Sequence, residues 1–180
     1  DRCFPELVWA PGEAQLDFGD VDVVLRGERT RTHFLVPGFP FPDMGFAQLF
    51  GGETSECVCQ GLADMFAHVG GVPPRVVPDN ATGAGRRVGR KITEADLFAR
   101  ARAHYGFEAT SRDPNAGHER GNVERKVAWV RQHLMVPVPV VDDIESHDAQ
   151  LLGRCDAAAV TEHYERHVPQ GGLFERDRAA

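Results

Sequence analysis

The chain has no apolar run long enough to cross a membrane, and no signal-peptide pattern begins it. Paired cysteines are missing as well, because Cys3, Cys57, Cys59 and Cys155 lack the CxxC spacing of a zinc site. These absences predict a cytoplasmic protein with reduced thiols. Internal repeats and low-complexity tracts are also absent, and 180 residues at 42% hydrophobic suffice for one packed domain plus an appendage. The first residue is Asp1 rather than Met, so we expect part of a longer protein.

A general excess of positive charge is missing too, since the formal net charge is -7. That value alone argues mildly against nucleic acid as a partner. The distribution is uneven, however: residues 1–60 carry 4 basic and 10 acidic groups, residues 61–141 carry 12 and 8, and residues 142–180 carry 4 and 9. The basic middle third is therefore the part suited to follow a phosphate backbone. The basic residues that are candidates for this contact are Arg86, Arg87, Arg90, Lys91, Arg112, Arg120, Arg125 and Lys126. An ordinary solvated charged face is the alternative interpretation.

Three acidic residues occupy settings that suit metal-binding carboxylates. Asp17 lies inside an apolar strand-like run, Asp79 ends a second such run, and Glu124 falls in the first turns of an amphipathic helix. A carboxylate in a buried strand costs free energy unless something pairs with it. Three carboxylates brought together raise each other's pKa unless divalent cations balance their charge. A pair of metals held in this way cuts and rejoins phosphodiesters.

The first fifty residues predict an antiparallel meander. β-forming residues favour strands at 14–25, 30–36 and 44–50. The link Gly27-Glu28-Arg29 has the length and the glycine of a hairpin turn. The proline-rich segment 37–42 breaks the pattern and is predicted to be an extended loop or turn.

The periodicity then becomes helical. Residues 53–55 are predicted to cap a helix that extends to Val69, and a strand at 75–78 follows. This order predicts a crossover connection and a parallel strand. The Gly- and Arg-rich segment 82–91 is predicted to have no regular structure.

The rest of the chain predicts two more helices and a short strand before an acidic tail. Thr93 is predicted to cap a helix that ends at Gly106, with Asp96 completing an approximate capping box. A strand at 107–110 and a helix from Asn122 to about Met135 follow. The acidic tail is predicted to contain one short helix, around residues 157–167.

This order of elements predicts an α/β, ribonuclease-H-like fold. Its mixed five-stranded sheet consists of a three-strand antiparallel meander plus parallel strands, flanked by helices. Residues 1–141 are predicted to form the core, and residues 142–180 an acidic helical extension or linker. In such a sheet Asp17 and Asp79 lie side by side, and a helix packed across the sheet delivers Glu124 to the same point.

Three ordered segments carry a resemblance to a known family. They are residues 9–19 (WAPGEAQLDFG), residues 70–74 (GGVPP) leading to Asp79-Asn80, and residues 117–124 (GHERGNVE). Together they resemble the catalytic core of the DDE transposase and retroviral-integrase superfamily, and within it the IstA-type transposases. The resemblance covers residues 9 to about 137. The gap from Asp79 to Glu124 is longer than in retroviral integrases.

The resemblance implies a bacterial, nucleoid-associated enzyme that cuts and joins DNA by two-metal phosphoryl transfer. Asp17, Asp79 and Glu124 would be its catalytic acids and would hold two Mg²⁺ (or Mn²⁺) ions. Asp17 would contact both ions, with Asn80 and His118 supporting the site. The implied partners are element ends and target DNA, an AAA+ ATPase helper and further copies of the chain. Arg86, Arg87, Lys91, Arg120 and Lys126 are the expected DNA contacts.

Several alternatives remain open from the residues. Asp20 and Asp22 compete with Asp17 but alternate onto the opposite strand face, so we expect them to face solvent. Glu119 competes with Glu124 but is expected to precede the helix proper, and His33 is expected to be an ordinary strand histidine rather than a ligand. The functional alternatives are a degenerate transposase fragment that only binds partners and a metal-dependent nuclease of the same fold.

Overall fold

The computed structural model of the chain describes residues 11–78, 85–88, 91–110, 117–160 and 173–174, with the backbone alone at 85–88, 91–94 and 117–120. The strands are β1 (Glu13–Leu25), β2 (Glu28–Phe39), β3 (Met44–Gly45), β4 (Gln48–Phe50), β5 (Arg75–Pro78), β6 (Gly85–Val88), β7 (Lys91–Glu94), β8 (Glu108–Ala109) and β9 (Val140–Val141). The helices are α1 (Ser55–Val69), α2 (Asp96–Tyr105), α3 (Gly117–His133) and α4 (Ile144–Ala158). Within these ranges no helix is both long and apolar enough to cross a membrane.

A mixed sheet forms the centre of the molecule, with its strands in the order β3-β2-β1-β5-β8. The pairs β1–β2 and β2–β3 are antiparallel, and the pairs β1–β5 and β5–β8 are parallel. β4 also pairs with β2, and β9 pairs with the far end of β1. The predicted meander followed by parallel strands is therefore confirmed. Its third strand is interrupted at Phe46, whose backbone N–H donates to the carbonyl of Pro37 (3.0 Å).

The β1–β2 hairpin closes earlier than predicted. Leu25 pairs with Glu28, so the two-residue turn is Arg26-Gly27 rather than a link through Arg29. Both turn residues have positive φ (51° and 88°), as a tight hairpin turn with the twist of its strands requires. β2 then continues to Phe39, so the predicted loop or turn at 37–42 was wrong for residues 37–39 and is confirmed for residues 40–42. Pro37 pairs with Leu16, and its carbonyl still accepts a hydrogen bond although it has no N–H to donate.

The prediction that the Gly- and Arg-rich segment 82–91 has no regular structure was wrong. Residues 85–88 and 91–94 form a second, two-stranded sheet. β6 and β7 pair antiparallel from Gly85↔Glu94 to Val88↔Lys91. Thr93 therefore belongs to a strand, and α2 begins at Asp96 after Ala95, which makes no side-chain cap hydrogen bond. The glycines of the segment led to the prediction of irregular structure. Antiparallel pairing between two strands that are close in sequence tolerates glycine.

The remaining helix boundaries depend on their caps. Thr54 caps α1 by accepting from Cys57 N (3.4 Å), as predicted. α3 begins at Gly117, five residues before the predicted start. α4 begins after Asp143, whose carboxylate accepts from Ser146 N (2.8 Å), and this helix (Ile144–Ala158) was not predicted. Most of the predicted range 157–167 lies outside the described residues.

The two faces of the sheet are covered by different helices. Gly61 of α1 packs so closely on Leu35 of β2 that a Cβ there would overlap the leucine. Gly38 of β2 faces Val123 of α3, where a Cβ would meet Val123 Cγ2 at 3.8 Å. Because alternate residues of a strand point to opposite faces, α1 and α3 lie on opposite sides of the sheet. Asp17 pairs with Val36, on the Gly38 side, and so belongs to the face that α3 covers.

Gly19 and Phe34 are register partners at the centre of that face. The Phe34 ring is fully buried and occupies the space that a side chain on Gly19 would need. The glycine is thus required by a close approach rather than by an unusual φ. This packing lets a large ring fill the space between β1 and β2.

We expect Gly19→Ala to lower the free energy of unfolding by about 1–3 kcal/mol, because the new methyl group overpacks a buried ring. Urea denaturation measures the loss. Gly51→Ala is the matched control, since a Cβ at Gly51 meets nothing within 4 Å. Phe34→Leu should recover part of the loss in the double variant. Equal stability of Gly19→Ala and the wild type would contradict this account.

α4 packs against β4 through a buried polar contact. Asp148 Oδ1 accepts a hydrogen bond from Leu49 N (2.9 Å), while Leu151 and Cys155 of the same helix enter the core. Burial raises the pKa of Asp148 to about 6, partly opposed by the Leu49 hydrogen bond and reinforced by the charge of Asp64. The folded protein therefore holds this proton more tightly than the unfolded chain does.

Asp148 should oppose folding increasingly as the pH rises from about 4 through about 6. We expect Asp148→Asn to be more stable than the wild type at pH 7.5, but not at pH 4. The difference should be on the order of 1–2 kcal/mol, because solvent screening of this partly exposed group reduces the full value. Urea denaturation at both pH values measures it, with exposed Asp142→Asn as the charge control. The same difference at both pH values would refute the assignment.

Candidate active site

Asp17 lies near the middle of the sheet, on the strand that pairs with both β2 and β5. It is half-buried, and its Oδ1 accepts a hydrogen bond from the backbone N–H of Phe18 (2.9 Å). The pairing of β1 with β5 runs from Glu13↔Arg75 to Leu16↔Pro78. Asp79 and Asn80 follow directly but lie outside the described residues, so their placement beside Asp17 stays a prediction.

α3 runs along β1 in the same direction, as two contacts show. Near its start, α3 places Val123 over Gly38, the register partner of Gln15. Farther on, Arg131 Nε donates to the carbonyl oxygen of Asp20 (3.3 Å). Five strand residues cover roughly 16 Å and eight helical residues roughly 12 Å, so helix and strand advance together.

Glu124 lies on the flank of α3 that follows β1. It precedes Arg131 by seven residues, or two helical turns, so the two side chains project from the same flank. Asn122 and Lys126 project from the opposite flank, toward the β2–β3 turn, where both contact Asp43. Glu124 therefore lies two helical turns, roughly 10 Å, before the point where Arg131 contacts Asp20. The same distance back along β1 from Asp20 reaches the level of Asp17. Asp17 and Glu124 are thus on the same side of the sheet and at a similar height along β1.

The opposite flank of α3 is anchored by a largely buried ion pair. Lys126 Nζ lies 3.1 Å from Asp43 Oδ1, with side-chain exposures of 16% and 20%. Asn122 Nδ2 donates to the same oxygen at 3.5 Å. Asp43 has φ of 55°, a left-handed conformation that aspartate tolerates better than most residues. A DNA contact by Lys126 stays a prediction, and its side chain already holds α3 against the β2–β3 turn.

The structure describes the other predicted site residues only in part. The β6–β7 hairpin contains Arg86, Arg87 and Lys91, and the first turns of α3 contain His118 and Arg120. The structure describes only the backbone of these five residues. Glu119 lies within α3, so the expectation that it precedes the helix was wrong. Asp22, on the opposite face, pairs with Arg29 at 3.0 Å, as a surface residue would.

The sequence interpretation missed Gln15. This residue is 1% exposed and shares the Asp17 face, two positions earlier on β1. Its Nε2 donates to Glu13 Oε1 (3.1 Å), while its Oε1 has no hydrogen-bond partner among the described residues. A polar residue at an inward position of a buried strand was the available signal. It adds a buried amide oxygen to the face of β1 that carries Asp17.

The sequence is similar to transposases of bacterial insertion sequences. A protein named transposase from Aminobacter aminovorans is 30% identical over 156 residues, which cover 84% of this chain and 30% of that protein. The transposase for IS1326/IS1353 of Pseudomonas aeruginosa is 26% identical, and the match covers 86% of this chain and 31% of that protein. The transposase for IS21 of the same species is 24% identical, with coverage of 77% of this chain and 36% of that protein. The chain thus spans about a third of these relatives. No family model matches it.

The fold is that of retroviral integrase catalytic cores. The catalytic core domain of BIV integrase aligns with a TM-score of 0.63 at 15% identity, covering 94% of this chain and 98% of that one. The HTLV-2 integrase core in complex with magnesium aligns with a TM-score of 0.61 at 12% identity, covering 91% and 96%. These neighbours confirm the predicted ribonuclease-H-like fold. The chain therefore has the fold of an integrase catalytic core, and its sequence relatives are insertion-sequence transposases.

We expect Lys126→Met to lower the free energy of unfolding by roughly 1–3 kcal/mol, because it leaves Asp43 partly buried and without its cation. Thermal or urea denaturation measures the change. Arg125→Met is the matched control, since Arg125 is exposed and, among the described residues, donates to Gly121 O of its own helix. Unchanged stability together with weakened DNA binding would instead assign Lys126 to phosphate contact.

Proposed function

We propose that this chain is the catalytic core of a DNA transposase and that Asp17, Asp79 and Glu124 are its catalytic acids. The observation that carries the proposal is the alignment of α3 with β1, which puts the Glu124 flank over the strand that bears Asp17. The parallel pairing that ends at Leu16↔Pro78 supports the third member, because Asp79 directly follows Pro78 in the sequence. The similarity to insertion-sequence transposases supplies the reaction class.

The donor set fits a hard divalent cation. Carboxylate oxygens are the ligands that Mg²⁺ and Mn²⁺ prefer, and the uncommitted Gln15 Oε1 adds another oxygen on the same face. Magnesium accompanies the HTLV-2 integrase core that shares this fold. We therefore propose Mg²⁺, or Mn²⁺ in its place, held by Asp17, Asp79 and Glu124, with Asn80 and His118 in support.

The proposed reaction needs positioning more than covalent chemistry. A bound divalent cation would activate a water or a 3′-hydroxyl and stabilise the leaving oxygen of the phosphodiester. The backbone N–H of Phe18 orients the Asp17 carboxylate, and burial of the strand keeps it from rotating freely. The anchor of Lys126 on Asp43 sets the height of α3, and hence of Glu124. Electrostatic stabilisation by such fixed groups accounts for most of the rate in reactions of this kind.

Partners and domain limits follow from the same proposal. Element ends and target DNA are the proposed substrates. The basic middle third of the chain, including Arg86, Arg87, Lys91 and Arg120, is proposed to contact the phosphates of the DNA backbone. An AAA+ helper and self-association on DNA are further proposed partners. They are proposals because the chain matches only about a third of each relative's length. Residues 1–141 remain the proposed core, although α4 of the extension also packs on β4.

We expect Asp17→Asn, Asp79→Asn and Glu124→Gln each to lower phosphoryl transfer by roughly 100-fold or more while the fold is retained. The assay uses a branched DNA that mimics the product of strand joining, with Mn²⁺ as the metal. In the reverse reaction a 3′-hydroxyl at the branch attacks the joined phosphodiester and reseals the target strand, which needs no recognition of element ends. Circular dichroism confirms folding. Asp22→Asn is the matched control, because Asp22 is an aspartate of the same strand on the opposite face.

Three outcomes distinguish the candidates. Joined products from the wild type and Asp22→Asn alone support the transposase core. Cleavage without any joined product would favour a metal-dependent nuclease of the same fold. A folded wild type that binds DNA but performs no chemistry with Mn²⁺ would favour the degenerate fragment. Near-normal joining by any of the three acid variants would refute the site assignment.

A further inference from the structure

A second group of metal-ligating side chains lies on the sheet face opposite Asp17. Asp20 of β1 and His33 of β2 are register partners, and Glu53 directly precedes Thr54, the N-cap of α1. His33 Nδ1 lies 2.9 Å from Asp20 Oδ1 and 3.2 Å from Glu53 Oε1. One ligand atom from each of the three residues lies within 4.8 Å of the others. Within the described residues, this is the cluster of histidine and carboxylates with the spacing of a metal site.

The geometry at His33 differs from that of an ordinary ion pair. Its Nδ1 is buried, yet it forms no hydrogen bond of acceptable geometry with any described residue, although two carboxylate oxygens are close. A ring nitrogen that is close to two carboxylate oxygens without a hydrogen bond to either fits three ligand atoms around a common centre. Two ligands of a tetrahedral ion with bonds near 2.0–2.1 Å lie about 3.3 Å apart, which is close to both measured separations.

The surroundings orient two of the three ligands. Arg31 Nη2 holds Asp20 Oδ2 at 2.8 Å, which leaves Oδ1 directed at His33. His33 pairs with Phe50 of β4, and Thr32 Oγ1 donates to Phe50 O (2.6 Å). This link directs the segment after β4 back toward His33, where Glu53 meets it.

We propose that Asp20, His33 and Glu53 bind one divalent transition-metal ion of the Zn²⁺ class, with solvent completing the coordination. One imidazole nitrogen with two carboxylate oxygens suits Zn²⁺, Co²⁺ or Mn²⁺ better than Mg²⁺, which prefers oxygen ligands and keeps its water. The ion would tie β1 and β2 to the start of α1 and so stabilise the sheet on the side that α1 covers. The site lies on the other face from Asp17 and does not depend on the proposed catalytic function.

The site has a practical consequence for metal titrations. Mn²⁺ has affinity for oxygen ligands and for imidazole, so a titration of the wild type would count ions at both faces of β1. Co²⁺ added in the presence of excess Mg²⁺ separates them, because Mg²⁺ competes at the carboxylate site and Co²⁺ bound to nitrogen has a visible absorption spectrum that depends on its geometry.

The experiment is a titration of the protein with Co²⁺ in the presence of about 10 mM Mg²⁺, a large excess over the protein. Displacement of Co²⁺ by Zn²⁺ and thermal denaturation with Zn²⁺ follow. The wild type should bind one Co²⁺ with a low-coordinate spectrum and unfold about 5 °C or more higher with saturating Zn²⁺. His33→Gln and Glu53→Gln should each weaken binding at least about tenfold. Asp17→Asn and Asp22→Asn should retain it, the latter as the matched aspartate on the same face.

Three results would overturn the proposal. One is a wild type with no such Co²⁺ spectrum and no stabilisation by Zn²⁺. Another is an unchanged spectrum in both His33→Gln and Glu53→Gln, and the third concerns Asp17→Asn. Glu53 is exposed and lies outside the core, so its variant tests the site even if replacement of His33 disturbs the strand. Loss of Co²⁺ binding in Asp17→Asn but not in Glu53→Gln would assign the ion to the catalytic face instead.

Discussion

The packing of α3 along β1 is the contact on which the rest of the candidate site depends. Carboxylates on a strand and on a helix can act on one phosphodiester only if the two elements hold a fixed register, since misplacement by an ångström is costly in catalysis. Here the register is set on both flanks of the helix: Arg131 bonds to the β1 backbone, and Lys126 bonds to Asp43 at the β2–β3 turn. Val123 and Val127 fill the space between them.

The two faces of β1 carry different chemistry within a few residues. Asp17 faces α3 together with the buried Gln15, whereas Asp20 faces the side of α1 and meets His33 and Glu53. Strand alternation separates these groups although they are adjacent in the chain. A parallel partner strand on one edge and an antiparallel one on the other make β1 the strand where both sets converge. The polar residues of this central strand thus fall into two groups, one on each face of the sheet.

Much of the architecture could be predicted because it depends on local patterns. Alternating β-formers, the cap at Thr54 and the crossover to β5 were sufficient for the meander and the parallel pair. The errors have physical reasons. Pro37 stays in a strand because its carbonyl still has a donor in Phe46, and the β6–β7 hairpin forms despite its glycines because its pairing is antiparallel and local. Neither the donor for Pro37 nor the strand partner is visible in a linear pattern.

The sequence by itself determined the local setting of two residues that we propose carry the chemistry, Asp17 in its strand and Glu124 on its helix, because residue type and periodicity are local properties. It also determined that Asp17 and Asp20 face opposite sides, since alternation is a property of any strand. Only the tertiary structure decided that the Glu124 flank follows β1, that Lys126 is committed to Asp43, and that His33 meets two carboxylates from other segments. These contacts join residues far apart in the chain, and their partners are selected by packing across the sheet rather than by neighbours in sequence.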